Sequence, residues 1–192
     1  MDVAVIGTGF IGTTLGRGLA VAGHQVTFGS RHPDDDHVEI PGASVASIGD
    51  ALSGADVAIL AIPGGAVAEL AAEHGDAPAG TLVIDATNRM GAPVANSRGS
   101  MPTTVRYARA FNTLGGENVA DPVFSGGKAD LFFSAREGDG PIMETIIEGV
   151  GLRPVYVGED QEAIIDALLQ LWIALAVKQG RGRRLALRLL ED

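Results

Sequence analysis

The sequence contains no cysteine, and this absence excludes disulfide bridges, thiolate catalysis and sulfur-ligated metals together. Basic residues are few as well: 14 Lys and Arg against 24 Asp and Glu give a net charge of −10, which argues against nucleic acid as a partner. No apolar run reaches the ~20 residues that a membrane helix needs, and no basic leader precedes the first apolar stretch. We therefore expect a cytoplasmic protein that neither crosses nor binds a membrane.

What the chain does have is enough apolar material for a globular core. Its hydrophobic content is 46 % over 192 residues, which excludes disorder and suffices for one domain, or for one domain with a C-terminal extension.

The N-terminal dozen residues carry the most informative motif. An apolar run at residues 3–6 is typical of a buried strand, and Gly7, Gly9 and Gly12 follow it in the spacing G-x-G-x-x-G. Apolar residues then recur at every fourth position through residue 19, as on one face of a helix. In this context the first glycine allows a tight turn, the second lets a pyrophosphate approach the backbone, and the third lets the helix pack on the sheet. The motif predicts a dinucleotide site.

Strand-like and helix-like segments alternate along the rest of the chain. Further strands are predicted at residues 25–28, 45–48, 56–62, 81–84, 105–111, 129–134 and 153–157. Helices are predicted at residues 50–53, 64–74, 141–150 and 161–190, the last of them interrupted near Gly180 and Gly182. The clearest strands are continuously apolar, as in a parallel sheet covered on both faces. The expected fold is therefore α/β: a Rossmann-like, doubly wound, mainly parallel sheet with a C-terminal helical tail.

The end of the second strand bears on which nucleotide is bound. An NAD site usually has an acidic residue there for the ribose hydroxyl, whereas this chain has Ser30 and Arg31. A hydroxyl and a planar guanidinium suit a 2′-phosphate, so the sequence favours NADP. Two other interpretations stay open. In the first, Arg31 lies on a polar turn and only faces water. In the second, the acidic run at residues 34–36 is not simply a solvated loop but lies close enough to oppose a phosphate.

The tail is apolar nearly all round. Such a helix is normally buried on several sides, and in so short a chain we expect a second copy to cover it, although packing on its own sheet would also serve. The predicted organisation is an NADP-binding Rossmann-like domain at residues 1–160. Residues 161–192 then form a helical segment that completes the substrate pocket and the interface of a homodimer.

Taken together, these motifs resemble the NADPH-dependent F-420 reductases (the reduced coenzyme F-420:NADP oxidoreductases) and their bacterial relatives. The resemblance covers nearly the whole chain, and the glycine motif and Ser30-Arg31 contribute to it. The other segments that carry it are residues 61–63 (AIP), 84–88 (IDATN), 110–115 (AFNTLG) and 179–182 (QGRG).

The resemblance implies a role for several residues. Thr8, Ser30 and Arg31 would hold the 2′-phosphate, and Gly9, Phe10 and Ile11 would lie under the pyrophosphate. The other implied cofactor-binding residues are Gly7, Gly12, Ile62, Pro63, Asn112, Thr113 and Leu114. Of these, Ile62 and Pro63 would follow the ribose toward the nicotinamide. Asn112, Thr113 and Leu114 would line the place where the deazaflavin stacks, with Trp172 and Leu168 as further walls.

The implied chemistry is hydride transfer between NADPH and the deazaflavin coenzyme F-420. Both redox centres come with the cofactors, so the protein supplies orientation and excludes water. This agrees with a sequence that has no catalytic triad pattern and no metal-spaced cluster. Gly115 and Asn112 stand where F-420 enzymes tend to have proline and histidine, so the acceptor stays open.

Two alternatives remain at this point. One is NADPH-dependent reduction of another acceptor (a flavin, a quinone, a ferric chelate, an imine or a carbonyl compound), with Tyr107, Asp85 and Lys128 as unordered candidates for a proton donor. The other is a non-catalytic NADP-binding sensor.

Overall fold

Strands and helices alternate as the apolar pattern predicts. The computed structural model describes residues 1–75, 80–89 and 93–192. Its strands are β1 Asp2–Ile6, β2 Gln25–Ser30, β3 Ala43–Ser47, β4 Val57–Leu60, β5 Leu82–Asp85, β6 Arg106–Arg109, β7 Val123–Phe124, β8 Gly127–Lys128, β9 Asp130–Phe133 and β10 Arg153–Tyr156. Its helices are α1 Phe10–Val21, α2 Ile48–Leu52, α3 Val67–His74, α4 Gly116–Ala120, α5 Gly140–Gly149 and α6 Glu162–Ile173.

A six-stranded sheet with the order β3-β2-β1-β4-β5-β6 forms the centre of the protein, and every neighbouring pair in it is parallel. The order reverses at β1, so the carboxyl ends of β1 and β4 open a crevice in which doubly wound proteins bind ligands. The predicted Rossmann-like fold is confirmed.

A separate two-stranded sheet, formed by β9 and β10, is joined to β6 by one isolated bridge. Arg109 and Ser134 exchange backbone hydrogen bonds of 2.8 and 3.1 Å in an antiparallel bridge, and β9 pairs in parallel with β10. Helix α4 and the β7–β8 hairpin lie in a stretch for which the sequence pattern predicted no element.

Side chains of the central strands alternate between two apolar layers, one on each face of the sheet. Val3 and Val5 of β1 pack in the layer that contains Leu15 and Leu19 of α1. Ala4 and Ile6 point the other way, into the layer that α2 and α3 cover. Burial on both faces explains why the strands read as continuous apolar runs.

The tail differs from its prediction. Helical conformation ends in a π-helical turn at Ala174–Lys178 rather than at residue 190. Gly180 and Gly182 follow with φ of +66° and +86°, a region that disfavours other residues and stops a helix. Beyond them the chain runs back over its own fold, where Asp130 N donates to Leu187 O at 3.2 Å. The predicted interruption near Gly180 and Gly182 agrees with this course, whereas the predicted return to a helix before residue 190 is wrong.

No helix in the described part of the chain has both the length and the apolar character required to cross a membrane.

Candidate functional site

The glycine motif forms a turn whose geometry only small residues allow. Gly7 has φ of +113°, and a Cβ there would lie 2.7 Å from the carbonyl oxygen of Ala61. A Cβ on Gly12 would lie 2.1 Å from the oxygen of Gly7. The close packing of β1, α1 and the end of β4 therefore requires glycine at both positions.

Gly9 has a different environment. A Cβ at this position would meet no atom within 4 Å among the described residues, so packing within the chain does not require a glycine. The space above Gly9 is open at the N-terminus of α1, where the first helical bond runs from Thr13 N to Gly9 O. The amides of Phe10, Ile11 and Gly12 therefore precede the first donor within the helix, as in helix ends that bind phosphate.

A cleft of about 500 Å³ lies beside this turn, at the carboxyl ends of β1, β2 and β4. It brings together seven of the predicted site residues: Gly7, Thr8, Gly9, Ser30, Arg31, Ile62 and Pro63. His32, Asp36, Glu69 and Glu73 also line it. A cleft at this reversal point of the strand order is the expected position for a dinucleotide.

Two hydroxyls and a guanidinium face one end of the cleft. Ser30 ends β2 and is buried, whereas Arg31 is exposed. The carboxylate of Asp36 accepts hydrogen bonds from Ser30 Oγ at 2.5 Å and from Thr8 Oγ1 at 3.1 Å. These bonds lower the pKa of Asp36, with that from Ser30 as the main cause. Asp36 was expected on a solvated loop or opposed to a phosphate, and its contact with both hydroxyls was not foreseen.

The remaining N-terminal site residues, Phe10, Ile11 and Gly12, lie in the first turn of α1 and are not among the residues that line the cleft. Phe10 is 63 % exposed and Ile11 is half-buried. A Cβ on Gly116 would lie 2.6 Å from the side chains of both. The start of α4 therefore lies against the N-terminus of α1, next to the predicted stretch that ends at Leu114.

Asn112, Thr113 and Leu114 are buried rather than open to the cleft, with exposures of 1 %, 3 % and 8 %. They follow β6 after Phe111, whose φ of +62° is uncommon for a residue with a side chain. Asn88 Nδ2 donates to the backbone oxygen of Asn112 at 3.2 Å, which joins the carboxyl ends of β5 and β6.

Sequence reasoning missed a buried polar network behind this stretch. Arg109 is fully buried, and its guanidinium contacts Asp85 at 3.1 Å and Asp166 of α6 at 2.8 Å. Asn96 and Asn112 donate to the same Asp166 carboxylate at 3.0 and 3.4 Å. An arginine inside an apolar strand was the available signal, because such a charge is buried only when it is paired.

Two of the candidate proton donors belong to this network. Tyr107 donates to Asp85 at 2.6 Å, and burial, then the charge of Asp85, raises the pKa of the Tyr107 hydroxyl well above its usual value. Asp85 also accepts from the backbone amides of Thr87 and Ser97 at 2.9 and 2.7 Å. These contacts hold both groups in place between β5, β6 and residues 93–97. The third candidate, Lys128, lies in β8.

Within the part of the chain that the structure describes, two buried acceptors near the same strand ends have no hydrogen-bond partner. Among the described residues, the Oδ1 atoms of Asn88 and Asn112 accept no hydrogen bond. Buried polar atoms in proteins are nearly always hydrogen-bonded. These two oxygens are exceptions, and each can still accept a hydrogen bond from an N–H group.

Trp172 packs within its own chain. It is 4 % exposed, and its Nε1 donates to the oxygen of Leu185 at 2.8 Å. Leu169 and Ala176 form a buried apolar cluster with Trp172, and Leu185 of the returning tail packs against this cluster.

Comparisons with known proteins agree with this geometry. Residues 2–89 match the family described as NADP oxidoreductase, coenzyme F420-dependent. No curated protein matches the sequence.

Solved structures share the fold over the whole chain. A protein from Arthrobacter sp. FB24, provisionally described as an F420-dependent NADP-reductase, is 24 % identical with a TM-score of 0.83, and the match covers 100 % of both chains. A hypothetical protein from Sinorhizobium meliloti is 26 % identical with a TM-score of 0.69, over 100 % of this chain and 96 % of that one.

An imine reductase from Streptomyces aurantiacus is 19 % identical with a TM-score of 0.72. The match covers 93 % of this chain but 64 % of that protein, so it shows a shared fold alone. Residues 2–89, just under half of the chain, are thus similar to the NADP oxidoreductase family described as coenzyme F420-dependent.

Proposed function

We propose that this protein is an NADPH-dependent reductase that exchanges hydride with a deazaflavin coenzyme of the F-420 type. The observation that carries the proposal is the cleft beside Gly9, which is lined by Thr8 after β1 and by Ser30 and Arg31 at the end of β2. The family match over residues 2–89 supports the same nucleotide and the same class of acceptor.

The nucleotide half of the site would work through backbone and charge. The amides of Phe10, Ile11 and Gly12 would donate to the pyrophosphate, and the open space above Gly9 admits it. Thr8, Ser30 and Arg31 would bind the 2′-phosphate through charge-assisted hydrogen bonds. Ile62 and Pro63 would line the path of the ribose toward the nicotinamide.

The acceptor half would lie where the ends of β4, β5 and β6 meet. Gly64, next to Pro63, donates to Asn88 O at 3.2 Å, and Asn88 in turn contacts Asn112. The Oδ1 atoms of these two asparagines, which accept no hydrogen bond from the described residues, are suitable acceptors for amide or ring N–H groups of a bound nicotinamide or deazaflavin. Thr113 and Leu114 would complete this wall.

When bound together, NADPH and the deazaflavin supply the hydride donor and acceptor, at C4 of one ring and C5 of the other. The chain then has to align the two rings and exclude water, with no side chain that transfers a proton. The engagement of Tyr107 and Asp85 in the buried network supports this proposal over carbonyl reduction, which usually needs a proton donor.

Residues 161–192 would have two roles. Asp166 of α6 binds Arg109 and Asn112, so this helix would support the acceptor wall. On its other side Ile164 and Leu171 are 47 % and 44 % exposed. The half-buried Leu168 lies between them, and the half-buried Leu175 follows in the π-helical turn, both at heptad spacing. We propose that this stripe packs against the same stripe of a second copy.

The test is a direct assay. Purified protein is mixed with NADPH and oxidised F-420, and the deazaflavin absorbance is followed, with NADH as the matched donor control. The proposal expects rapid bleaching with NADPH and much slower bleaching with NADH. Reduction of a flavin or a cyclic imine, but not of F-420, would contradict the deazaflavin assignment. Tight NADPH binding without reduction of any acceptor would contradict the enzymatic role.

A further inference from the structure

We propose that Asp36 is an internal competitor for the 2′-phosphate of NADP(H): its carboxylate occupies the phosphate subsite of the free protein and thereby sets nucleotide preference. The inference rests on the proposed binding of that phosphate by Thr8, Ser30 and Arg31. It goes further by assigning a specificity-determining role to a residue on the loop that follows β2.

The carboxylate already makes the contacts that a phosphate oxygen would make. A single atom, Asp36 Oδ2, accepts from both Ser30 Oγ and Thr8 Oγ1. Ser30 is buried, so its hydroxyl has few other ways to be satisfied. One anionic oxygen held between two hydroxyl donors beside a helix N-terminus is the arrangement expected for a bound phosphate.

The loop after β2 is folded so that Asp36 reaches this position. The amides of Asp35 and Asp36 both donate to His32 O, at 3.1 and 3.0 Å, which turns the chain back on itself. His32 N donates to Ser30 Oγ at 2.9 Å. Because Ser30 accepts from His32, its own proton is available to Asp36. The hydrogen bonds from Ser30 and Thr8 lower the pKa of Asp36 and keep it anionic at neutral pH.

A 2′-phosphate and this carboxylate cannot share the subsite. A hydroxyl donates one proton at a time, so the phosphate gains Thr8 and Ser30 only when Asp36 releases them. Two anions at contact distance also repel each other. NADPH therefore has to displace Asp36, whereas NADH, which lacks the 2′-phosphate, leaves it in place.

The experiment measures binding of 2′,5′-ADP and 5′-AMP, which differ by the 2′-phosphate alone, by calorimetry. The variants are Asp36→Asn, Asp36→Ala and, as the charge-matched control on the same loop, Asp34→Asn. We expect both Asp36 variants to bind 2′,5′-ADP about tenfold more tightly, with 5′-AMP affinity within about twofold of wild type. The Asp34→Asn protein should stay close to wild type for both ligands, because exposed charges farther away are screened.

Unchanged 2′,5′-ADP affinity in both Asp36 variants would overturn the inference. So would weaker 5′-AMP binding in Asp36→Ala, which would make Asp36 an acceptor for the ribose hydroxyl. Failure of the proposed function is a separate outcome, in which the protein does not reduce F-420. Tighter 2′,5′-ADP binding in the Asp36 variants alone would still support the inference in that case. Thermal unfolding of each variant shows that the loop change leaves the fold intact.

Discussion

The guanidinium of Arg109 binds the carboxylate of Asp166 through both Nε and Nη2, at 3.0 and 2.8 Å, in the interior of the protein. The pair joins β6, at one side of the parallel sheet, to α6, the last helix. Because Asn112 also contacts Asp166, the position of the candidate acceptor wall depends on an ion pair formed between residues far apart in sequence.

Replacing Arg109 with methionine should therefore be strongly destabilising. The change leaves the Asp85 and Asp166 carboxylates buried without their cation, and we expect a loss of about 3–5 kcal/mol in the free energy of unfolding. Urea denaturation measures it. The matched control is Arg183→Met, which breaks the more exposed pair with Glu117 and should cost less than about 1 kcal/mol. Equal losses in the two variants would contradict a structural role for the network.

Two glycines of the motif have different roles: Gly12 is required for packing, and we expect Gly9 to be required for binding of the dinucleotide. In Gly12→Ala the new methyl group collides with Gly7 O, so we expect about 1–3 kcal/mol of destabilisation. In Gly9→Ala the methyl group meets open space, and stability should change by less than about 1 kcal/mol. Gly9→Ala should nevertheless weaken NADPH binding about tenfold or more, because the methyl group lies where the pyrophosphate approaches.

Unfolding curves and NADPH titrations of the two glycine variants check this contrast. Normal NADPH affinity in Gly9→Ala would show that the dinucleotide does not pass over this turn.

The local parts of the fold could be predicted because their signals are local. The run at residues 3–6 and the four-residue spacing after it correctly predicted β1 and α1. The positions of Arg109 and Asp36 could not be read in the same way, because their partners are determined by the folded chain. Asp166 is 57 residues from Arg109, and Thr8 is 28 residues from Asp36.

The tail shows the same limit. The sequence predicted a helix that is interrupted near Gly180 and Gly182 and continues to residue 190. The two glycines do adopt positive φ, but the segment beyond them finds tertiary partners instead of forming a helix. Trp172 and Asn118 donate to backbone oxygens of this segment, at Leu185 and Arg183. These contacts satisfy backbone groups that a helix would otherwise pair.

The stripe on α6 gives a prediction about assembly. If it packs against a second copy, Ile164→Glu combined with Leu171→Glu should halve the particle mass measured by light scattering, because two charges would be buried in an apolar interface. The control is Val21→Glu at the end of α1, where valine is 85 % exposed, and the mass should not change.

Trp172 is unsuitable for that experiment because it packs within its own chain. Its replacement by a charged residue should lower the free energy of unfolding by several kcal/mol.

The dimer itself is tested by the mass of the wild-type particle in the same light-scattering measurement. The mass of a single chain would contradict the proposed dimer.

The most direct test of the central claim is the ratio of NADPH to NADH affinity in wild type and in Arg31→Ala, measured by titration at one fixed ionic strength. Arg17→Ala is the matched control, since Arg17 is exposed on α1, five residues beyond the last glycine of the motif. If Arg31 holds the 2′-phosphate, Arg31→Ala weakens NADPH binding about 10- to 100-fold and leaves NADH within about twofold, because a charge-assisted hydrogen bond is lost for one nucleotide alone. Equal losses for both nucleotides, or no loss for either, would contradict the assignment of this cleft to NADP.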